Sequence, residues 1–159
     1  MKSLFKTILP IFIIALTIAS CAPAKVATGP AGPPKAQFTG TWTLTGVTFS
    51  GVKEEDAKAF DGSLPKGFAN STWVLNNEGD GSYTLANGTK QSIYWAVNGG
   101  DALGAMFTFT KVADGQKPTA TQTGYQFVIA TTTPTAMVLK SLQYIGNKNG
   151  YVVYTFAKQ

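Results

Sequence analysis

Residues 81–97 read GSYTLANGTKQSIYWAV, two short apolar runs on either side of the dipeptide Asn87-Gly88. Apolar and polar side chains alternate along both runs, and the apolar ones are Tyr83 and Leu85 on the first and Ile93, Trp95 and Val97 on the second. Alternation with a period of two predicts strands that bury one face. Because Asn-Gly tolerates the positive φ of a tight turn, the stretch predicts a hairpin with strands at about 81–87 and 89–97.

The same pattern recurs along the chain and predicts an all-β fold. Six further strands are expected at 40–49, 71–76, 103–112, 123–131, 135–145 and 150–157. Turn signals lie between several of them, namely Asn77-Glu78-Gly79-Asp80, Asn98-Gly99 and Asn149-Gly150. Consecutive hairpins form an up-and-down meander, and eight antiparallel strands can close into a barrel without exposed edges. We therefore predict an eight-stranded antiparallel up-and-down barrel.

The inward faces of these strands supply the candidate ligand-binding residues. They are Tyr83, Leu85, Ile93, Trp95, Phe107, Phe109, Tyr125, Phe127, Met137 and Leu139. A barrel of this size either fills with side chains or holds one small guest, and both alternatives stay open here. Gly46, Gly104 and Ala105 are the candidates for making room, and Tyr83, Trp95 and Tyr125 for orienting a polar ligand end. The phase of the last strand is not assigned.

One connection is much longer than a hairpin loop. Residues 50–70 form a link of 21 residues, whose middle, Lys53 to Phe60, is expected to contain a short helix. Phe60, Leu64 and Phe68 give this segment apolar contacts. Two interpretations follow: the link is a lid, or it plugs one end of the barrel.

The N-terminal stretch has the parts of an export signal. Lys2 and Lys6 precede an almost wholly apolar run, Ile8 to Ala19. About a dozen apolar residues are too few to cross a bilayer but suit the core of a signal peptide. We expect residues 1–20 to be removed.

The run Ile18-Ala19-Ser20-Cys21 resembles the lipobox of bacterial lipoproteins. The resemblance implies that the Cys21 thiol carries a diacylglycerol, that cleavage falls before it, and that the new amino group is acylated. Several acyl chains make a stable membrane anchor. Ala22 rather than Asp after the Cys favours the outer membrane, and no acidic run follows that would indicate surface export, so we expect a periplasm-facing domain.

Residues 22–37 contain four Pro and almost no large apolar groups, so they are expected to act as a disordered tether. We therefore divide the chain into a signal peptide at 1–20, a lipidated Cys and tether at 21–37, and one barrel domain at 38–159.

The chain lacks residue types that many catalytic sites use. The chain has no His and no Arg, and its single Cys is the expected lipid site. The eight acids fall in predicted loops or turns. We expect no enzyme, no cofactor and no metal site. The mature chain would keep 11 Lys against eight acids, and these Lys residues form no basic stripe, so a nucleic-acid partner is not expected.

Short motifs connect the predicted barrel to a family. Gly40-Thr41-Trp42 opens the first strand before the long link, and the stretches Asn70 to Leu75 and Gly81-Ser82-Tyr83 follow. The chain resembles the lipocalin-like families, and in particular small lipocalin-like lipoproteins of the Bacteroidetes type. The resemblance implies that Trp42 packs at the closed end of the barrel and that the first loop caps the other end. The Arg that lipocalins set against this Trp is absent.

Two functions follow as expectations. The first is a membrane-anchored lipoprotein whose barrel binds a small hydrophobic ligand in the cell envelope. The alternative is a protein-interaction lipoprotein, such as a periplasmic inhibitor or an envelope assembly factor, with a filled barrel. Its working surface would be the loops at 50–70 and 113–122.

Overall fold

A computed structural model describes residues 32–101 and 103–159. The predicted signal peptide, the predicted lipid site at Cys21 and most of the predicted tether lie outside the described residues.

The described chain forms eight antiparallel strands in one sheet that closes into a barrel, which confirms the predicted fold. The strands are β1 Gly40–Ser50, β2 Thr72–Leu75, β3 Asp80–Thr84, β4 Lys90–Asp101, β5 Gly104–Lys111, β6 Gly124–Thr132, β7 Ala136–Ile145 and β8 Lys148–Lys158. Each strand pairs with its neighbours in sequence, and β1 pairs with β8 to close the ring. Because all strands are paired, the sheet has no open edge.

The first strand takes part in both neighbouring ladders. Its first four residues, Gly40 to Thr43, pair with β2, while the pairing with β8 runs to Ser50. An irregularity between Leu44 and Gly46 shifts the β1–β8 register by one residue. Such a bulge bends the strand and increases its twist, which helps to close a barrel.

Two of the predicted hairpin turns are wrong. Asn98-Gly99 lies within β4, where the β4–β5 register shifts, and Asn149-Gly150 lies within β8. The β7–β8 turn falls instead on Gly146-Asn147, because Ile145 pairs with Lys148. Gly146 has a φ of 59°, and glycine at the first central position suits a two-residue hairpin turn. The turns at 76–79 and 85–88 lie where they are predicted.

The inward and outward faces agree with the predicted alternation. Trp95, Phe107, Phe109, Met137 and most of the other predicted interior side chains are buried, while Leu85 and Tyr125 are half-buried. In β8 the inward residues are Val152, Tyr154 and Phe156. Gly46 and Gly104 make no interior room, since a side chain there would approach Thr155 and Val128 on the outer face.

The two ends of the barrel are closed differently. At the end where β1 begins, a 3-10 turn at Lys35–Gln37 leads into Phe38, which is completely buried. The sequence predicts that residues 32–37 belong to the tether, but this segment contacts the barrel, and Gly32 lies close to the carbonyl of Asn98. At the opposite end the long link between β1 and β2 crosses the mouth of the barrel.

The long link contains no α-helix. Instead of the expected helix from Lys53 to Phe60, the structure has two 3-10 turns, Glu54–Asp56 and Pro65–Phe68. Residues 53–60 have good helix propensity, but Gly51 and Gly62 limit a helix here to about ten residues, which is marginal without packing. Ala57 instead adopts an extended conformation and is buried against the barrel. Within the part of the chain that the structure describes, no helix is long and apolar enough to cross a membrane.

Candidate functional site

The side chain of Phe60 enters the barrel from the long link. Its ring centroid lies 5.0 Å from that of Phe109, 5.5 Å from Tyr125 and 5.9 Å from both Tyr83 and Phe127. Several of these ring pairs are steep, edge-to-face contacts, an arrangement that aromatic rings favour. Phe60 therefore occupies the space at the barrel mouth that a small apolar guest would need.

Phe68 packs against the Phe60 ring, which we call the plug. Its ring lies 4.3 Å from that of Phe60 and 5.8 Å from that of Tyr83, and the residue is almost fully buried. Leu64, the third predicted lid residue, contributes nothing to the interior because it is 56% exposed. Ala57 and Ala59 are buried and hold the first half of the link against the barrel.

A small polar cluster lies beside the plug. The Lys111 ammonium, at the end of β5, is 3.5 Å from Oδ2 of Asp61 and 5.7 Å from the centre of the Phe60 ring. The Tyr83 hydroxyl is close enough to the same ammonium for the two groups to shift each other's pKa. Tyr125 is the fourth member, with its ring centre 5.9 Å from the ammonium. We call Asp61, Lys111, Tyr83 and Tyr125 the mouth cluster.

The mouth cluster carries opposite charges at neutral pH. Partial burial pushes the pKa of Asp61 upward, but hydrogen bonds from Ser63 and the charge of Lys111 outweigh it, so this pKa lies below its ordinary value. Burial pushes the pKa of Lys111 downward, and Tyr83 and Asp61 outweigh it, so this pKa is raised. Burial is also the main reason why the pKa of Tyr83 is raised. The carboxylate and the ammonium therefore stabilise each other.

A second polar group lies deeper in the barrel. Tyr154 of β8 is only 2% exposed, and its hydroxyl has no hydrogen-bond partner among the described residues. Burial, and secondarily the charge of Asp61, raise its pKa. Its ring lies 5.7 Å from that of Phe127, one of the rings that surround Phe60. A buried hydroxyl without a partner costs free energy and is uncommon in a well-packed core.

The opposite end of the barrel is closed by buried contacts. Trp42 is fully buried, and its indole N–H donates a hydrogen bond of 2.7 Å to the carbonyl of Phe38. The Lys158 ammonium lies 5.2 Å from the centre of the Trp42 ring, so a cation stacks on this ring although the chain has no Arg. Trp95 donates its indole N–H to the carbonyl of Asp80, so its polar end does not face the interior.

The structure brings the predicted interior residues together, but it also adds residues that the sequence did not single out. Asp61, Lys111 and Tyr154 are far apart in the chain and belong to a loop and two strands. In the sequence Asp61 is one of eight acids in predicted loops or turns, and Lys111 is one of 13 scattered Lys residues. Their proximity depends on the path of the long link, for which the sequence has no local signal.

Three grooves lie elsewhere on the molecule. One of about 440 Å³ separates the β3–β4 ladder from the loop at 112–117, and one of about 380 Å³ lies between Val52 and Lys148. A third, of about 260 Å³, runs over the outer face of β5, β6 and β7. None of these three is lined by the aromatic rings that fill the barrel. Among the described residues, no group of three acidic, His or Cys side chains is placed to hold a metal ion.

Fold and site together define a small closed barrel with an aromatic interior, a loop residue in its mouth and one ion pair beside that residue. No family model and no curated protein matches the chain. The likeness to lipocalin-like families therefore stays a resemblance that rests on short motifs.

Proposed function

We propose that this protein is a membrane-anchored lipoprotein of the cell envelope whose barrel binds a small hydrophobic ligand when the long link withdraws Phe60. The observation that carries the proposal is the Phe60 ring itself. It is contributed by a loop rather than by a strand, and it contacts Phe109, Tyr125 and Phe127 inside the barrel. Withdrawing one loop side chain leaves every strand pairing intact.

The cavity that would be uncovered suits an apolar guest with a polar end. Its walls are the aromatic rings of β2, β3, β5 and β6, and its polar atoms are the Tyr154 hydroxyl and the mouth cluster. Ligand sites are typically apolar with a few polar groups that fix orientation. The hydroxyl that lacks a partner in the closed barrel would gain one from such a ligand.

Binding by the wild-type protein tests this proposal. The full chain is placed in lipid nanodiscs, so that no detergent competes, and titrated with the neutral fluorescent probe N-phenyl-1-naphthylamine against empty nanodiscs. We expect saturable binding by wild-type protein and at least about tenfold tighter binding by Phe60→Ala, which corresponds to 1.4 kcal/mol. Leu64→Ala, in the same link but exposed, serves as the control and should bind like wild type.

Binding by Phe60→Ala alone does not support the proposal, because truncating a ring that packs against the core creates a cavity that accepts apolar molecules. A wild-type barrel that binds no probe would contradict it. Native mass spectrometry of protein extracted from cell envelopes gives independent support if an apolar molecule remains bound.

The membrane anchor is part of the same proposal and has its own test. We expect mass spectrometry of the membrane fraction to find the mature N-terminus at Cys21 with a diacylglyceryl group and an acylated amine. Cys21→Ala should move the protein out of the membrane fraction. Protease added to intact cells should leave the domain uncut if it faces the periplasm from the outer membrane.

One observation favours the alternative, a protein-interaction lipoprotein with a filled barrel. The outer face of β5 to β7 exposes apolar side chains around its groove, with Tyr144 73% exposed beside Met106, Val128 and Leu142. Contiguous exposed apolar surface is typical of protein contacts. Under this alternative the wild-type barrel binds no probe, and Tyr144→Ser abolishes the capture of an envelope protein by crosslinking.

A further inference from the structure

Phe60 and Asp61 are consecutive in the chain, and both contact groups at the barrel mouth. The ring lies among aromatic side chains, and the next carboxylate lies 3.5 Å from the Lys111 ammonium. Together they present an aromatic ring and one carboxylate a few bonds apart. These are the functional groups of a small aryl-alkyl carboxylic acid. Here they are attached to the backbone, whereas a ligand would diffuse freely.

We infer, on the basis of the proposed function, that Phe60-Asp61 is a built-in substitute for the ligand, and that the ligand is an apolar molecule bearing a single carboxylate. The ligand's apolar part would take the place of the Phe60 ring. Its carboxylate would take the place of Asp61 beside Lys111, the one cation within reach of that ring and of Tyr83 among the described residues.

The electrostatics of the mouth cluster favour this exchange. If the Asp61 carboxylate left alone, the partly buried Lys111 ammonium would lose its partner. An incoming carboxylate restores the pair, whereas a neutral alcohol does not. The side chains of Lys111 and Asp61 are only 28% and 29% exposed, so an exchange is favourable only with a ligand that restores the ion pair.

Tyr154 adds to the inference independently. Its hydroxyl is buried and unpartnered among the described residues, and it lies within the electrostatic influence of Asp61. Since the chain fills the mouth without pairing this donor, the substitute is incomplete. A ligand that reaches further than the Phe60 side chain, and carries an uncharged acceptor such as an ether or hydroxyl oxygen there, can accept a hydrogen bond from Tyr154 while its carboxylate stays beside Lys111.

The simpler role of Lys111 is to latch the link by holding Asp61. A latch would make the mouth harder to open for every ligand, charged or neutral. Removing it would therefore change the affinity for acid and alcohol in the same direction. A carboxylate site would instead discriminate between them.

The test compares 3-phenylpropanoate with 3-phenylpropan-1-ol by calorimetry at neutral pH, using the full chain in nanodiscs with empty nanodiscs as blank. We expect wild-type protein to bind the acid about tenfold more tightly than the alcohol. Lys111→Met should abolish this preference, and the charge-conserving Lys111→Arg should keep it. Asp61→Asn should strengthen binding of the acid several-fold, because the internal competitor loses its charge.

The outcomes separate the two proposals. If neither compound binds wild-type protein, the inference fails, and the titration with N-phenyl-1-naphthylamine then decides whether the proposed function fails as well. If both bind equally, the barrel is a ligand site, but the inference is overturned. A parallel change for acid and alcohol in Lys111→Met shows a latch and also overturns it. Should Lys111→Met not fold, Asp61→Asn and Lys111→Arg replace it in the test, since both retain the cation. Both must then prefer the acid to the alcohol, and loss of this preference in either variant overturns the inference.

Discussion

Single residues at the barrel mouth determine how the interior is filled. Phe60 closes the aromatic cluster from a loop, and Lys111 pairs with the carboxylate that follows it. Tyr154 lies deeper and keeps a hydroxyl for which the described residues offer no partner. The first two make contacts that strengthen the closed state, whereas the third weakens it.

Substitution of the two tyrosines should therefore have opposite effects on stability. Tyr154→Phe removes an unpaired buried hydroxyl and should leave the free energy of unfolding unchanged or raise it by about 1 kcal/mol. Tyr83→Phe removes the interaction with Lys111 and should lower it by about 1 kcal/mol. Urea denaturation of both variants measures the difference. Destabilisation by Tyr154→Phe would show that its hydroxyl already has a partner.

At the scale of elements, the strands were predictable because their information is local. Alternation along 81–97 places Tyr83, Ile93 and Trp95 on one face, and all three are buried. The errors arise where two local signals compete. Asn149-Gly150 and Gly146-Asn147 both suit a turn, and only the register of β7 against β8 selects between them.

At Gly150 close packing, and not a turn, requires glycine. A Cβ there would lie 2.5 Å from Cγ1 of Val52 and 2.6 Å from the carbonyl oxygen of Ser50. Gly150→Ala should therefore cost about 2 kcal/mol through overpacking. Gly67→Ala, where a Cβ meets nothing within 4 Å, should change stability by less than about 0.5 kcal/mol. Thermal unfolding of both variants tests this, and equal stabilities would contradict the close approach at Gly150.

The candidate site was only partly predictable for the same physical reason. The inward faces follow from period-two patterning, so the aromatic walls were identified. The plug and the ion pair depend on how residues 51–71 fold back over the mouth, and no periodicity encodes that path. Leu64, equally apolar, is exposed, while Phe60 is inside.

For the molecule as a whole, the two ends of the barrel are closed by different kinds of contact. At one end Phe38, Trp42 and Lys158 are joined by burial, a hydrogen bond and cation stacking. At the other end a loop side chain and one partly exposed ion pair close the mouth. We therefore expect the barrel to open only at the mouth and to stay closed at the end where β1 begins.

The mouth should also respond to acid. The pKa of Asp61 is lowered in the folded protein, so its contribution to stability is present above the unfolded value of about 3.9 and is lost as the pH falls through the folded value. We expect Asp61→Asn to reduce the free energy of unfolding by less than about 1 kcal/mol at pH 7. This difference should vanish once the pH lies below the folded pKa of Asp61. A difference that persists there would exclude the charge as its cause.

The position of Phe60 during ligand binding tests the central claim most directly. A single 4-fluorophenylalanine at position 60, followed by fluorine NMR of the full chain in nanodiscs, reports whether this ring leaves the barrel. On saturation with 3-phenylpropanoate we expect the signal to move from a buried to a solvent-exposed environment, while the same label at position 156, deep in β8, stays unchanged. Saturable binding with no change in the position-60 signal would contradict the claim that the ligand and Phe60 share one space.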